Sequence, residues 1–315
     1  MSKWLTSGHV IAPFDTDAPW LRCALHAHTT ASDGDLPPEA LVAHYERAGY
    51  DVLVVTDHWK ITGPPSTSRI LVLPGVELNC VLPGARDGHV LGLGVAATED
   101  ELRELAGGYP DLAETGEWVE RHGGVAYLAH PYWTGVVPGT LELPESVVGI
   151  EVYNAGCELE IGRGLSSVHW DELLGAGRLC PALATDDSHR PGFDSDFAWT
   201  WLRAERTPEA VLAALRAGAL YGSAGPKLHD VRRHGDVVEV RCSPARQVTL
   251  VSGKSIGASV NAGRLGYRHA GEILERDDRG LVTRAALTIP PAAAHARVEV
   301  TDGEGRKAWS GPFRT

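Results

Sequence analysis

Nowhere in the 315 residues is there a run of about 18 apolar side chains, so no membrane-spanning helix and no membrane partner are expected. The opening MSKWLTSGHV has no apolar segment of a secretory signal, which makes the cytoplasm the expected compartment. Cysteine is sparse and odd in number: Cys23, Cys80, Cys157, Cys180 and Cys242 are scattered, with no Cys-x-x-Cys pair. A disulfide framework and a thiolate zinc site are therefore not expected, and the cysteines read as buried free thiols. Lysine and arginine never run longer than two, and aromatic and basic residues do not interleave. With a formal net charge of −12, such a surface repels long polyanions, so genomic nucleic acid is not an expected partner. A small anionic substrate stays compatible, because bound cations reverse the local field.

The composition is 43% hydrophobic and 22% charged, ordinary for a globular protein and enough chain for a large core. LRCALHAH, YDVLVVTDH, RILVLPGVELN, HVLGLGVA, VAYLAH, VVGIEVYN and LCPALATDD read as strands. PPEALVAHYERAG, DLAETGEWVERHGG, SSVHWDELLGAG and TPEAVLAALRAG read as helices, with proline at the start and glycine at the end of the first. Strand and helix alternate over about 200 residues, which argues for an α/β fold on a parallel sheet, open or closed into a barrel. Past Gly225 the pattern becomes apolar–polar alternation between turn signals such as HGD and DGEG. This predicts two domains, residues 1–225 and a small antiparallel, β-sandwich-like domain over 226–315. The small domain has two readings, closing one side of a pocket or pairing protomers in a homo-oligomer.

The strand ends carry the chemistry. ALHAHTTASDGDL places His26 and His28 two residues apart, on one face of an extended strand, with Asp33 beyond a turn. Later strands bring His58, Glu77, His89 (at a strand's start), His130, Glu151 and the run Asp186-Asp187-x-His189. In parallel α/β folds functional groups gather at the carboxyl ends of strands. A lone histidine is more often structural, and His9, His44, His122, His229, His234, His269 and His295 are read so. Six histidines and at least three carboxylates on one rim are a different case. At three or four protein ligands per ion they suggest two or three divalent metals, and mixed nitrogen–oxygen ligation without thiolate suits Zn, Mn or Fe. GLG at 92–94 lacks the third glycine of a dinucleotide fingerprint. SGKS at 252–255 has Val248 where a phosphate-binding loop needs glycine.

HAHTTASDG, VVTDH, GVELN, HVLGLG, AHP and TDDSH, in that order, resemble the motifs of the PHP (polymerase and histidinol phosphatase) family over roughly residues 21 to 225. IEVYNAG, GRG, HWDELLGAGR and ATDDSH look most like the branch containing CehA/McbA-type hydrolases. The resemblance implies a distorted seven-stranded β/α barrel with a trinuclear site at its carboxyl rim. It implies one set of His26, His28, Glu77 and Asp187, a second that shares Glu77 and adds His89 and His130, and a third of Asp33, His58 and His189. Some relatives have histidine where this chain has Asp33, so the third set here is harder.

The expected activity is hydrolysis of a small phosphorylated molecule, with hydroxide generated on the metals as the nucleophile. The same chemistry attacks a carbonyl, so hydrolysis of a carbamate, ester or amide is the alternative. A non-catalytic binding module stabilised by metal is the third. Asp186 and His189 are the candidates for proton transfer. Asp57, beside His58, is a candidate to orient an imidazole, or else a strand-end cap. Arg163, Lys60, Arg190, Tyr153 and Asn154 are the candidates for substrate contact, cations for an anion and polar groups for the pocket wall.

Overall fold

Val52 to Val55 are four consecutive apolar residues, all buried, as a strand covered on both faces must be. Alternate residues face opposite ways. Leu53 and Val55 pack with Leu41, Val42 and Tyr45 of the first helix, while Val52 and Val54 join Leu21, Leu91, Leu93, Tyr127 and Leu183 in a second core cluster. This geometry comes from a computed structural model in which residues 9–63, 69–263 and 268–315 are described.

In chain order the elements begin with β1 (His9–Val10), β2 (Trp20–Ala24), α1 (Pro38–Arg47), β3 (Val52–Val55), β4 (Leu71–Leu82) and β5 (Ala85–Leu93). There follow α2 (Glu99–Gly107), α3 (Leu112–Arg121), β6 (Val125–Ala129), α4 (Pro131–Thr134), β7 (Val147–Asn154), α5 (Ala155–Ile161), α6 (Ser167–Gly175), β8 (Ala182–Thr185), β9 (Trp199–Arg203), α7 (Pro208–Ala217) and β10 (Leu220–Ser223). The remainder is β: β11 (Leu228–His234), β12 (Val237–Ala245), β13 (Gln247–Val251), β14 (Gly257–Asn261), β15 (Arg268–His269), β16 (Gly271–Arg276), β17 (Val282–Thr288), β18 (His295–Thr301), β19 (Lys307–Ser310) and β20 (Phe313–Arg314). None of the described helices is long and apolar enough to cross a membrane.

The chain divides into two compact units, 18–173 with 180–222, and 9–17 with 174–179 and 223–315. In the first the strand order is β10-β9-β2-β3-β4-β5-β6-β7-β8. The pairs β2/β3, β3/β4, β6/β7 and β7/β8 are parallel. Beyond the formal ends of β2 and β8 the chain stays extended. There His28 N donates to Ser188 O at 2.9 Å and Asp187 N to His26 O at 3.1 Å, joining the first and last of the seven strands β2 to β8 in parallel.

Two expectations are corrected. The sheet is mixed rather than parallel: β5 runs antiparallel to both β4 and β6, and β9 runs antiparallel to β2. The link from β4 to β5 is only Pro83-Gly84, far too short for a crossover helix, with Gly84 in the left-handed region at φ 72°. Glu77 does not end its strand either, since β4 continues to Leu82. Because β5 is reversed, a residue near its start reaches the same rim as residues past the ends of its parallel neighbours. Helices α2 and α5 were not anticipated, although Thr98 and Glu101 close a capping box on α2.

In the second unit, β1-β11-β12-β17-β16 and β15-β14-β13-β18-β19 are the strand orders, with antiparallel pairing between β11 and β12, β12 and β17, β13 and β14, and β13 and β18. The HGD and DGEG signals fall at the turns between β11 and β12 and between β18 and β19. Buried and half-buried residues alternate along β13 and β14, the period of a sheet with one covered face.

Candidate metal centre

Six strands, or the chain just past their ends, deliver side chains to one region of the first unit. His26 and His28 follow β2 and are fully buried. Glu77 lies on β4, His89 on β5, His130 directly after β6 and Asp187 after β8, and all are buried or nearly so. Glu77 Oε2 stands 3.1 Å from Nε2 of both His26 and His28, and Oε1 stands 2.8 Å from His89 Nδ1 and 3.1 Å from His130 Nε2. Asp187 Oδ1 lies 3.1 Å from His26 Nε2 and 3.2 Å from His28 Nε2. Nearer solvent, Asp33 Oδ2 lies 3.4 Å from His189 Nε2 and 3.6 Å from His58 Nε2. His58 bridges the layers, with Nδ1 3.4 Å from Glu77.

The donor set fits divalent cations on a geometric ground. His28 Nε2, His89 Nδ1 and Asp187 Oδ1 are buried and have no hydrogen-bond partner, although oppositely charged atoms stand 2.8 to 3.2 Å away. The atoms are close but not aimed at one another. Within each group the donor atoms lie within 4.8 Å of one another, close enough to share an ion, while His26 and His130 Nε2 also meet Glu77 at hydrogen-bond distance, 3.1 Å. The nine residues offer nitrogen and carboxylate oxygen, which suit Zn, Mn or Fe; Cys157, its Sγ 3.9 Å from Asp187 Oδ2, is the one thiol among the described residues grouped with them.

Without an ion the cluster balances charge with protons. Burial lowers His28, but Asp187 and Glu77 outweigh it and bring the imidazole up to about 9. Burial likewise opposes and Glu77 raises His130. Burial raises Glu77 and Asp187, yet the facing histidines hold both carboxylates well below the usual range. A divalent cation bound here would take the place of those protons.

Around the cluster other groups fix the rings. Glu151, fully buried, stands 2.8 Å from His26 Nδ1 and accepts hydrogen bonds from Thr185 Oγ1 at 2.6 Å, Asn154 Nδ2 at 2.9 Å and the His130 amide at 2.9 Å. A carboxylate with this many donors is an anion that takes the Nδ1 proton and leaves Nε2 facing inward. Asn154 also donates to Asp187 Oδ2 at 3.1 Å. His189 Nδ1 donates to the Asp187 carbonyl at 3.0 Å, which turns Nε2 outward. Trp59 Nε1 is a donor only, and it donates to Asn79 Oδ1 at 2.7 Å. Asn79 Nδ2 therefore faces His89 Nε2 at 3.0 Å and donates to it. That places the His89 proton on Nδ1, toward Glu77. An ion at Nδ1 requires that proton to leave and Asn79 to turn its oxygen to the ring.

Backbone strain gathers here. Trp59, His130 and Asp187 are non-glycine residues at φ 51°, 25° and 54°. Conformations of this kind cost about 1–3 kcal/mol each and persist where surrounding contacts over-determine them. The turn that carries Asp33 is equally constrained: a Cβ on Gly34 would collide with the His28 carbonyl.

The structure brings His26, His28, Asp33, His58, Glu77, His89, His130, Asp187 and His189 into one cluster. Asp186 is elsewhere. It accepts the amides of Asp196, Phe197 and Ala198 at 2.8 to 3.0 Å and Tyr45 Oη at 3.2 Å, so it clamps the 194–198 loop instead of reaching the histidines. Burial pushes it up to about 7, against those donors. Asp57 accepts Thr29 N at 2.7 Å, Thr29 Oγ1 and Ser32 Oγ at 2.8 Å and Thr62 Oγ1, so it braces the Asp33 turn and not an imidazole.

A cleft of about 670 Å³ opens onto the cluster, lined among others by Asp33, Asp35, Trp133, Leu159, Glu160 and Phe193. Of the residues expected to touch substrate, Arg190 lines it, 3.9 Å from Asp35. Lys60 pairs with Glu99 at 2.7 Å in a separate small pocket. Arg163 is exposed over the Tyr132 ring, 5.6 Å from its centroid. Tyr153 is half-buried and not among the lining residues, and Asn154 is engaged behind Asp187. The roles of Glu151, Asn79 and Trp133 were missed. Glu151 was visible as one more rim carboxylate, but nothing in its type distinguishes a ligand from a group that holds a ligand.

No family model matches the chain. A stretch of 126 residues is 32% identical to the 5'-3' exoribonuclease Rnm of Escherichia coli, covering 38% of this chain and 40% of that protein. A stretch of 89 residues is 32% identical to the Salmonella typhimurium protein of the same name, covering 26% of this chain and 30% of that protein. The chain thus spans less than half the length of these relatives. Across 97% of both chains it aligns with a crystal structure from Bacteroides vulgatus, at 16% identity and a TM-score of 0.54. That structure is described as a two-domain protein containing a predicted PHP-like metal-dependent phosphoesterase. The mixed α/β fold of this chain is therefore similar to that of the two-domain PHP-like structure.

Proposed function

We propose that this chain is a metal-dependent phosphoesterase that hydrolyses a small phosphorylated molecule, with the chemistry carried by residues within 18–222. The observation that carries the reading is Glu77. Its two oxygens face separate imidazole pairs, His26 with His28 and His89 with His130, at 2.8 to 3.1 Å. One carboxylate presenting one oxygen to each of two nitrogen pairs is the arrangement that holds two cations close together. The ligand sets are His26, His28, Glu77 and Asp187; Glu77, His89 and His130; and Asp33, His58 and His189. The names of the relatives support phosphoester chemistry. We read β2 to β8 as a distorted seven-stranded barrel and residues 226–315 as a small β domain. The motif likeness to CehA/McbA-type hydrolases makes a carbonyl substrate the competing outcome.

Divalent cations held by these sets would supply charge to the phosphoryl oxygens and lower the pKa of a water toward neutrality. The chain's own residues do the rest. Glu151 keeps Nε2 of His26 directed at the ligand point, and Asn154 holds Asp187 by Oδ2 so that Oδ1 stays inward. His189, tied at Nδ1, presents Nε2 beside Asp33 at the cleft as a member of the third ligand set. Arg190 at the cleft adds a positive charge for the departing group's side.

The test is turnover by the full-length protein loaded with Mn(II) or Zn(II), on phosphate monoesters set against carboxylic esters and carbamates. Phosphate esters are expected to be the substrates, and Glu77→Gln should remove metal and turnover together. Phosphatase activity surviving in metal-depleted Glu77→Gln protein contradicts the reading, as does turnover of carbamates or esters alone.

A further inference from the structure

The ligand cluster explains where a phosphoryl group goes but not what is attached to it. Three apolar side chains line the same cleft: Trp133, Leu159 and Phe193. Phe193 is 82% exposed and Leu159 55% exposed. A single exposed apolar residue is unremarkable, but several around a cleft lined by charged ligands mark a surface that something covers. Trp133 sits directly against the ligands, its ring 5.0 Å from His130 and 6.1 Å from His89, centroid to centroid. Its indole is fixed, because Nε1 donates to Glu160 Oε2 at 2.8 Å. A rigid aromatic side chain adjoining the reacting centre binds a flat partner at little entropic cost.

Charge narrows the partner further. Arg190 is the one lysine or arginine among the described lining residues, and Asp35 stands 3.9 Å from it. Asp35 and Glu160 are in the lining too, as is Asp194, which accepts hydrogen bonds from Ser188 Oγ and the His189 and Arg190 amides. A second phosphate beyond the ligand cluster would meet these carboxylates with almost no cation to offset them, and a polynucleotide backbone would find no basic track. The cleft volume of about 670 Å³ is that of a small-molecule site.

We propose that the cleft selects phosphate monoesters whose alcohol part is a neutral, planar, apolar group, placed against Trp133 and covered by Phe193 and Leu159. This rests on the phosphoesterase reading and names its substrate class. In the reaction the bond from phosphorus to the alcohol oxygen breaks, a bond from phosphorus to a water oxygen forms, and one water proton ends on the departing alcohol.

The test separates the class from the reaction. The metal-loaded full-length protein is given 2-phenylethyl phosphate, n-butyl phosphate, 1,4-butanediol bisphosphate and a short 5'-phosphorylated oligoribonucleotide. The first two release alkoxides of similar basicity, so their kcat/KM ratio reports recognition. The expected ratio is about tenfold in favour of 2-phenylethyl phosphate, with the bisphosphate below n-butyl phosphate. Phe193→Ala and Trp133→Leu should each pull the ratio toward one; Phe193 is too exposed for its truncation to unfold the chain. A ratio near one in the unaltered protein, a ratio untouched by both variants, or a preference for the oligoribonucleotide overturns the proposal. Binding of 2-phenylethylphosphonate and n-butylphosphonate, measured by calorimetry, gives the same comparison without turnover. If no phosphate ester reacts, the phosphoesterase reading fails, and equal phosphonate affinities then sink the class as well.

Discussion

Nδ1 of His26 lies 2.8 Å from Oε1 of Glu151, and both side chains are shut away from solvent. Glu151 receives three further hydrogen bonds and so acts as a fixed anion behind the ligand. Glu151→Gln puts an amide N–H where a donor already points, and frees His26 to change tautomer. Such partners of metal-bound histidine typically contribute 10–100-fold in affinity. Metal titration of the variant should show a loss in that range. Unchanged affinity would mean that Glu151 has no part in holding His26.

The Trp59–Asn79–His89 chain makes a prediction of opposite sign. Trp59 Nε1 fixes the Asn79 amide with its nitrogen toward His89. Trp59→Phe removes that restraint, so Asn79 can turn its oxygen to the ring and accept a proton at His89 Nε2. Affinity for an ion at Glu77, His89 and His130 should rise, by up to about tenfold. Asn79→Leu, which offers the ring no acceptor, should not show the gain. Calorimetric titration of both variants checks the pair.

Asp186→Ala should act on stability and not on metal binding. The change strands three loop amides and the Tyr45 hydroxyl. Each abandoned donor costs about 1–3 kcal/mol, less whatever water can reach it. A loss of several kcal/mol in denaturant unfolding is expected, together with faster hydrogen exchange at Asp196, Phe197 and Ala198. Metal content equal to the parent at low temperature completes the expectation.

Removing metal should lower thermal stability. Glu77 and Asp187 are buried carboxylates with several imidazoles as their counter-charges. Ions that bind the folded chain and not the unfolded one stabilise it by mass action, about 2.7 kcal/mol at a hundredfold excess over Kd. Chelation should depress Tm, and Mn(II) or Zn(II) should restore it. Identical melting curves with and without chelator would argue that the cluster is saturated by its own protons.

How far the sequence was legible follows from particular residues. The run Val52–Val55 could only be a covered strand, and HGD and DGEG could hardly be other than turns. His26 and His28 were legible because a two-residue spacing on extended chain has one geometric meaning. The reversal of β5 was hidden, since an apolar run carries no direction; the Pro83-Gly84 link was the available sign. Asp186 and Asp187 show the limit most sharply. They are neighbours of one type, and only the turn of the backbone at Asp187, φ 54°, sends one carboxylate to the histidines and the other to the loop. Glu151 and Asn79 act through other side chains, which no local pattern announces. Lys60 and Arg163 were reasonable anion contacts by charge, but Glu99 and Tyr132 already engage them.

The central claim is that Glu77 joins two cations, and anomalous diffraction from crystals soaked in Mn(II) tests it most directly. Two peaks about 3.5–4 Å apart are expected. One should lie among His26, His28, Asp187 and Glu77 Oε2, the other among His89, His130 and Glu77 Oε1. A single peak bound by only one Glu77 oxygen, or peaks at Asp33 and none at Glu77, would contradict the account.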